Sequence, residues 1–286
     1  MRLGAVIACG SKDAWNNTFE AMCENYFHDV EVGMQAELLK AGYGMNTERI
    51  DSFAQPMRQP EMVRKKLIDG VFLVGGLFGD SVIKMLANAN LPAVVIGRDY
   101  PGVDCVTTDY QEAVYQGVKH LLERGHRDLL YISGPERTPT SSLKDAGYRK
   151  ALAEFSMHGS TKRHVRSEFS GEGGYWATKL SYEKGLRPTA IFAASDTIAA
   201  GALGYLYEQR LRVPDDVSVA AFERSMLTEY LTPALTCLDI NKDELGRQAA
   251  LMMLRRLENP HGQRERVVVP FSLRYGASVR TIEAAP

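Results

Sequence analysis

The sequence predicts an α/β protein built on parallel β-sheets, and two observations carry this prediction. Short all-apolar segments recur along the chain and alternate with amphipathic segments of helical length. Between Leu186 and Glu223, two such segments, Thr189–Ala194 and Val217–Phe222, flank a predicted helix that follows Ser195–Asp196. Strands that are apolar on both faces are typical of parallel sheets covered by helices on each side.

The predicted elements follow one another as strand–helix units. Right-handed crossovers between consecutive parallel strands then produce two sheets. Near the end of the chain, Asn241 and Glu244 resemble a capping box that opens a helix at Lys242–Leu257, and Pro260 follows its end. The predicted strands are Leu3–Cys9, Val71–Val74, Ala93–Gly97, Leu129–Ser133, His164–Phe169, Ile191–Ala194 and Val217–Phe222.

Composition excludes several classes of function. The chain has 286 residues and 45% hydrophobic residues, enough for a large core that divides into two lobes. Lysine plus arginine (34) nearly equals aspartate plus glutamate (35), and the net charge of −1 argues against autonomous DNA binding. No apolar run reaches the length of a membrane span, and no leader opens the chain, so a reduced cytoplasm is expected. The four scattered cysteines are expected to be buried free thiols.

Enzyme motifs are not evident, so we expect no catalytic residue, no cofactor and no metal. Val74–Gly79 resembles a dinucleotide-binding GxGxxG motif, and Asp99 lies twenty residues beyond Gly79. Valine, however, occupies the tight-turn position of that motif, which disfavours a cofactor. The six histidines have no metal-ligand spacing, and no nucleophile lies in a known catalytic setting.

Polar residues at the ends of predicted strands indicate a small-molecule site. Ser195, Asp196, Glu223 and Arg224 end adjacent strands, and open α/β sheets bind ligands at the carboxyl ends of their strands. Asp196 is either a ligand contact or only the cap of the following helix. Glu223 is the strongest single candidate, because charge-assisted hydrogen bonds to hydroxyl groups suit a dry cleft.

Two further candidates lie earlier in the chain. Asn25, Tyr26 and Phe27 open the predicted first helix and could bind and stack on a polar ligand, or form an ordinary cap and hydrophobic staple. Arg98 follows the predicted strand Ala93–Gly97, and its guanidinium could hold hydroxyl or anionic groups of a ligand. The alternative for Arg98 is a structural ion pair with Asp99 or Asp104.

Seven segments in a fixed order extend over almost the whole chain: FHDVEVGMQAELLKAGY (27–43), IDGVFLVGG (68–76), LPAVVIGRD (91–99), HLLERGHRDLLYISGP (120–135), KDAGYRKAL (144–152), Leu186–Glu223 and PALTCLDI (233–240). Together they resemble the effector-binding core of the LacI/GalR family of bacterial transcription regulators. The resemblance implies two Rossmann-like lobes with parallel sheets joined by a three-strand hinge, a fold like that of the type I periplasmic binding proteins.

The resemblance also implies how the lobes are divided and what they do. It implies one lobe of residues 1–106 plus 240–269 and a second of residues 107–239 plus 270–286. A small polar effector, a sugar or sugar phosphate, would bind in the cleft between them and shift a hinge equilibrium. That shift would act on operator DNA through a helix-turn-helix head. The alternative function is a solute (sugar)-binding protein of a transporter, which shares the cleft.

Lys144 and Phe169 are site candidates through the resemblance. Lys144 stands where the family has an effector-contacting arginine, and lysine keeps the charge but loses the bidentate geometry. Phe169 ends the predicted strand His164–Phe169, where relatives stack an aromatic ring on sugar; core packing is the alternative. Glu223 replaces an aspartate and Arg224 a second acid, so the sugar specificity of a relative does not transfer to this chain.

The resemblance leads to three further expectations. Met1 leads directly into the first core strand, so the DNA-binding head is expected to be absent from this chain. A homodimer is expected, with Met85-Leu86 and Met252-Met253-Leu254 as apolar interface or, alternatively, as core. The segment Gly10–Glu24 is longer than the usual family loop, and its Asp13, Trp15 and Asn16 belong to a lid or to a surface insertion.

Overall fold

The computed structural model describes residues 2–9, 19–51, 60–75, 82, 86, 90–157 and 163–282. The chain divides into two compact units, the first of Met1–Thr108 with Asn241–Pro270 and the second of Asp109–Ile240 with Phe271–Pro286. The strands are β1 (Arg2–Cys9), β2 (Gly44–Asp51), β3 (Gly70–Val74), β4 (Ala93–Ile96), β5 (Asp104–Thr107), β6 (Leu129–Ser133), β7 (His164–Arg166), β8 (Ala190–Ala193), β9 (Ser218–Phe222), β10 (Thr236–Asp239), β11 (Arg266–Val268) and β12 (Ser272–Arg274). The helices in the described residues are α1 (Phe19–Lys40), α2 (Glu61–Arg64), α3 (Tyr110–Glu123), α4 (Pro139–Glu154), α5 (Gly171–Glu183), α6 (Asp196–Glu208), α7 (Met226–Tyr230) and α8 (Lys242–Glu258).

The first unit contains a six-stranded sheet in the order β11-β5-β4-β3-β1-β2, and all its strand pairs are parallel. Helices α1 and α8 pack together at two glycines. A side chain at Gly33 would collide with the backbone carbonyl of Asp243, and one at Gly246 would collide with that of Val30. The two helices therefore meet backbone against backbone.

The second unit contains a six-stranded sheet in the order β12-β10-β9-β8-β6-β7. Its strands are parallel except for β12, which pairs antiparallel with β10. Strands β6, β8 and β9 are buried along their whole length. Helices α5 and α6 approach closely, because a side chain at Gly174 would meet the backbone of Ile198 and one at Gly201 the backbone carbonyl of Gly171.

The parallel α/β architecture predicted from the sequence is confirmed, with differences at strand limits. Strand β7 ends at Arg166, so Phe169 lies beyond the strand instead of ending it. Five of the described strands were not predicted: β2, β5, β10, β11 and β12. Three of them, β2, β11 and β12, lie at sheet edges, where one side of the strand has no neighbour and the sequence need not be continuously apolar.

The first helix begins earlier than predicted. Helix α1 begins at Phe19, so Asn25, Tyr26 and Phe27 lie inside it and do not open it. The last six residues of the predicted loop Gly10–Glu24 are therefore helical. Asp13, Trp15 and Asn16 lie outside the described residues, as does most of the glycine-rich segment Val74–Gly79.

One of the two hydrogen bonds of the predicted capping box is present at the start of helix α8. Asn241 accepts a hydrogen bond through its side-chain oxygen from the Glu244 backbone N–H (3.4 Å). The carboxylate of Glu244 is held instead by Arg247, at 2.6 Å, and by Gln248.

Two of the three methionines proposed for an interface, Met252 and Met253, belong to the interior of the first unit. Met252 and Met253 are fully buried, and Leu86 is 2% exposed, while Leu254 is half-buried. Met85 lies outside the described residues. Of the two alternatives, core packing is correct for Leu86, Met252 and Met253.

Two absences hold for the part of the chain that the structure describes. None of its helices combines the length and the apolar character needed to cross a bilayer. Nor do those residues include any group of three or more histidine, cysteine, aspartate or glutamate side chains placed to hold a metal ion.

Candidate functional site

The candidate site of the second unit lies at the carboxyl ends of β6, β8 and β9. These strands are parallel neighbours in the order β9-β8-β6, so the residues that follow them share one edge of the sheet. Gly134 follows β6, Ser195 and Asp196 follow β8, and Glu223 and Arg224 follow β9. The predicted grouping of strand-end polar residues therefore exists within this unit.

Ser195, not Asp196, caps helix α6. The Ser195 hydroxyl accepts a hydrogen bond from the Ile198 N–H at 3.1 Å, and Ser195 has the extended backbone typical of a cap. Asp196 is the first residue of the helix. Its carboxylate accepts one hydrogen bond from the Thr197 N–H (2.7 Å) and another from the Ser225 hydroxyl. Asp196 is buried, and it joins the start of α6 to the segment after β9.

Glu223 adopts a backbone conformation that is rare for residues other than glycine. Its φ is +80°, in the left-handed region, immediately after the buried strand β9. Strain of this kind persists only where the surrounding structure imposes it, and it concentrates at functional sites. Glu223 is half-buried at this position.

Arg224 is part of an ion-pair group on the same side of the sheet. Its guanidinium contacts the Glu229 carboxylate and lies 3.4 Å from Oδ2 of Asp239. Arg274 also approaches Asp239, at 3.6 Å. Arg224 is thus engaged with the acids of α7 and β10.

Lys144 is buried and its ammonium lies among aromatic rings. Its Nζ donates to the backbone carbonyl of Ala194 at 2.8 Å, directly before Ser195. The same atom lies 3.8 Å from the ring centroid of Phe222, 5.1 Å from that of Phe169 and 5.9 Å from that of Tyr110. The structure therefore brings Lys144 and Phe169 together beside the strand ends of β8 and β9.

A charged cluster next to Lys144 was not found by sequence reasoning. The buried Asp145 carboxylate pairs with Arg166 at 2.6 Å, and Arg166 also donates to the Gly134 carbonyl at 3.0 Å. His164 lies 3.6 Å from Asp145 and 2.7 Å from the Ser133 hydroxyl. The sequence signal for this cluster is the helical spacing of four residues on one face of α4. These residues, all buried in the structure, are Ser141, Lys144, Asp145 and Tyr148.

This cluster is not a catalytic triad, although it contains serine, histidine and aspartate. Ser133 and Asp145 both approach Nε2 of His164. A triad needs the acid and the nucleophile on different ring nitrogens. Burial is the largest influence on His164, and it lowers the pKa of that imidazole.

The remaining candidates lie in the first unit. The rings of Tyr26 and Phe27 meet edge to face at 5.5 Å, and Phe27 is buried in the core, while Asn25 lies within α1. The Arg98 guanidinium lies 5.1 Å from the Tyr100 ring centroid. The two acids that were its alternative partners are held by other arginines: Asp99 by Arg264 and Arg266, and Asp104 by Arg256.

Comparison with known proteins gives relatives of one kind. Residues 118–279 match the family described as periplasmic binding protein-like domain. The HTH-type transcriptional repressor PurR of Salmonella paratyphi B is 30% identical over 255 residues, which cover 85% of this chain and 73% of PurR.

Solved structures share the fold at lower identity. A LacI family transcriptional regulator from Enterococcus faecium with bound ribose has a TM-score of 0.84 at 22% identity and covers 99% of this chain and 100% of that chain. The transcriptional regulator CelR in complex with cellobiose has a TM-score of 0.80 at 23% identity. The match covers 96% of this chain and 84% of CelR. The lac repressor dimer bound to operator and the anti-inducer ONPF has a TM-score of 0.82 at 19% identity. The match covers 98% of this chain and 94% of the repressor chain.

The relatives found by sequence and by fold are transcriptional repressors and regulators, not enzymes. This agrees with the expectation that the chain has no catalytic step. The matched family covers more than half of the chain, and the PurR relationship extends over most of both proteins. This chain therefore belongs to the LacI-type family of transcriptional regulators and carries their periplasmic binding protein-like domain.

Proposed function

We propose that this chain senses a small, neutral, polyhydroxylated effector of the sugar class and that effector binding controls operator binding by a helix-turn-helix head. The observation that carries the proposal is the arrangement around Lys144 at the sheet edge of the second unit. There the ring of Phe169 offers an apolar face, and Asp196 and Glu223 follow the two adjacent strands. A ring for the apolar face of a sugar and carboxylates for its hydroxyl groups form a typical sugar site.

The charges at this edge favour a sugar over a sugar phosphate. Its basic side chains already have anionic or carbonyl partners: Arg166 has Asp145, Arg224 has Glu229, and Lys144 has the Ala194 carbonyl. A phosphate would have to compete with these partners for each cation. Hydroxyl groups bring no charge and need no such exchange.

Relatives of the same fold support this effector class. The structural neighbours include the Enterococcus faecium regulator with bound ribose and CelR with bound cellobiose. Asn25, Tyr26, Phe27 and Arg98 of the first unit remain predicted contacts.

The proposal is tested by isothermal titration calorimetry of the purified chain with ribose, cellobiose, ribose 5-phosphate and a set of nucleosides. We expect saturable binding of at least one neutral sugar. In Phe169→Leu the affinity for that sugar should fall about three- to tenfold, because aromatic stacking is lost. Tyr207→Leu is the matched control, since Tyr207 is an aromatic residue 84% exposed at the end of α6. Binding of nucleosides alone, or of the phosphate alone, would refute the neutral sugar.

We further propose that the chain forms a homodimer, as regulators with paired DNA-binding heads require. Sedimentation equilibrium of the purified chain at micromolar concentration should give the mass of two chains. A strict monomer with intact sugar binding would contradict the regulatory dimer and favour a solute-binding protein of a transporter.

A further inference from the structure

The ammonium of Lys144 is enclosed by four separate parts of the second unit. The lysine itself lies on α4 and is 4% exposed. Its Nζ donates to the Ala194 carbonyl at the end of β8 and faces Phe222 of β9, Phe169 after β7 and Tyr110 at the start of α3. Tyr110 and Phe222 are also stacked on each other, with ring centroids 5.7 Å apart.

The chemistry of these surroundings is that of a cation site. An ammonium removed from water is strongly unfavourable unless other groups replace its hydration. Aromatic faces within about 6 Å attract a cation through the ring quadrupole, and several rings around one cation form the cage that proteins use to bind ammonium ligands. The Ala194 carbonyl adds a hydrogen-bond acceptor at 2.8 Å. The partners of Lys144 thus replace water on several sides.

We infer that Tyr110, Phe169, Phe222 and the Ala194 carbonyl form a site for a primary ammonium group, and that the chain's own Lys144 is its resident ligand. Lys144 then acts on the effector through the residues it holds, above all through the Phe169 ring. This last consequence rests on the function proposed above, whereas the ammonium site itself does not.

The inference predicts that an external amine can replace the lysine. Lys144→Ala removes three methylenes and the ammonium, a fragment that propylammonium reproduces. We expect the melting temperature of Lys144→Ala to fall by several degrees relative to wild type. Propylammonium chloride should then raise it by a few degrees in a saturable way, because a ligand that binds only the folded state stabilises it. Wild type should not respond, since its site is filled.

Lys150→Ala is the matched control. Lys150 lies on the same helix, and its Nζ is also close to a ring, 3.9 Å from the Tyr115 centroid, but its side chain is 46% exposed and paired with Glu112. We expect a small loss of melting temperature in Lys150→Ala and no response to the amine. Sodium chloride and 1-propanol at the same concentrations separate the effect of the cation from ionic strength and from filling of an apolar cavity.

Three outcomes would overturn the inference. A folded Lys144→Ala that does not respond to propylammonium would exclude a built ammonium site. An equal response to 1-propanol would show that only volume is recognised. Should Lys144→Ala not fold, Lys144→Met decides, because it keeps the length and removes the charge: a melting temperature equal to wild type would show that the rings need no cation. These readouts are thermal, so they stay decisive even if no sugar binds.

Discussion

Glu223 offers a direct test of backbone strain at the proposed site. Its φ of +80° is costly for a side chain with a Cβ atom, by about 1–2 kcal/mol, and costs glycine almost nothing. Glu223→Ala and Glu223→Gly both remove the carboxylate, but only the glycine variant also relieves the strain. The comparison of these two variants therefore isolates the backbone contribution from the loss of side-chain contacts.

The expected difference follows from two opposing effects. Relief of the left-handed conformation favours the glycine variant, whereas the greater freedom of glycine in the unfolded chain disfavours it by about 0.4–1 kcal/mol. We expect Glu223→Gly to be more stable than Glu223→Ala by about 1 kcal/mol, or about 2–4 °C in melting temperature for a unit of this size. Both variants should lose effector binding.

Urea denaturation followed by circular dichroism measures the free energy of unfolding, and calorimetry measures effector affinity. Asp215 provides the control, because it is exposed and does not have a positive φ. Asp215→Gly should be less stable than Asp215→Ala. The reasoning is refuted if Glu223→Gly is as unstable as Glu223→Ala or more so, and unchanged effector affinity in both variants would remove Glu223 from the site.

Three further predictions concern the fold. Gly201→Ala should lower the free energy of unfolding by about 1–3 kcal/mol, since the new Cβ would meet backbone atoms of α5. Gly204→Ala on the same helix should be neutral or stabilising, because its Cβ would only touch a ring atom of Tyr175 at 4.0 Å. Thermal denaturation distinguishes the two variants, and equal losses would contradict the close helix contact. Burial lowers the pKa of His120 to about 4 from 6.5, so the unfolded chain binds the extra proton between these values. The free energy of unfolding should then fall by up to about 3 kcal/mol as the pH drops from about 6.5 to about 4. Urea titrations of His120→Gln should show a smaller fall over the same pH range. An equal dependence on pH in wild type and variant would show that His120 does not cause it. Arg256→Met should cost about 3 kcal/mol in urea denaturation because it leaves the buried carboxylate of Asp104 without its 2.6 Å partner, and a loss below about 1 kcal/mol would show that water reaches that carboxylate.

The sequence carried the central strands and the positions of the strand-end polar residues. The segment Leu129–Ser133 is a strand with the same limits in the prediction and in the structure. A strand buried on both faces must be apolar at every position, so it can be predicted from its own sequence without knowledge of the neighbouring strands. Edge strands such as β2 lack this constraint, and their pairing depends on a neighbour far away in the chain. Three of the four edge strands, β2, β11 and β12, were not predicted.

Hydrogen bonds could be predicted from the sequence where the donor and the acceptor are close to each other in the chain. The cap formed by Asn241 with Glu244 is of this kind and was predicted. The cap of α6 was assigned to the wrong one of two adjacent residues, because Ser195 and Asp196 are equally good caps by residue type. The hydrogen bond from Ser225, 29 residues away, holds the Asp196 carboxylate and distinguishes the two roles.

What the sequence determined by itself is therefore the order of buried strands, the sheet edge to which Ser195, Asp196 and Glu223 belong, and the family. What only the tertiary structure decided is how each side chain at that edge is used. The resemblance made Lys144 a candidate ligand contact, but the burial of its ammonium among three rings depends on the packing of separate segments of the second unit. The pairing of Asp145 with Arg166 likewise joins residues 21 positions apart. Periodicity reports which face of an element is buried, and it carries no information on which distant side chain meets that face.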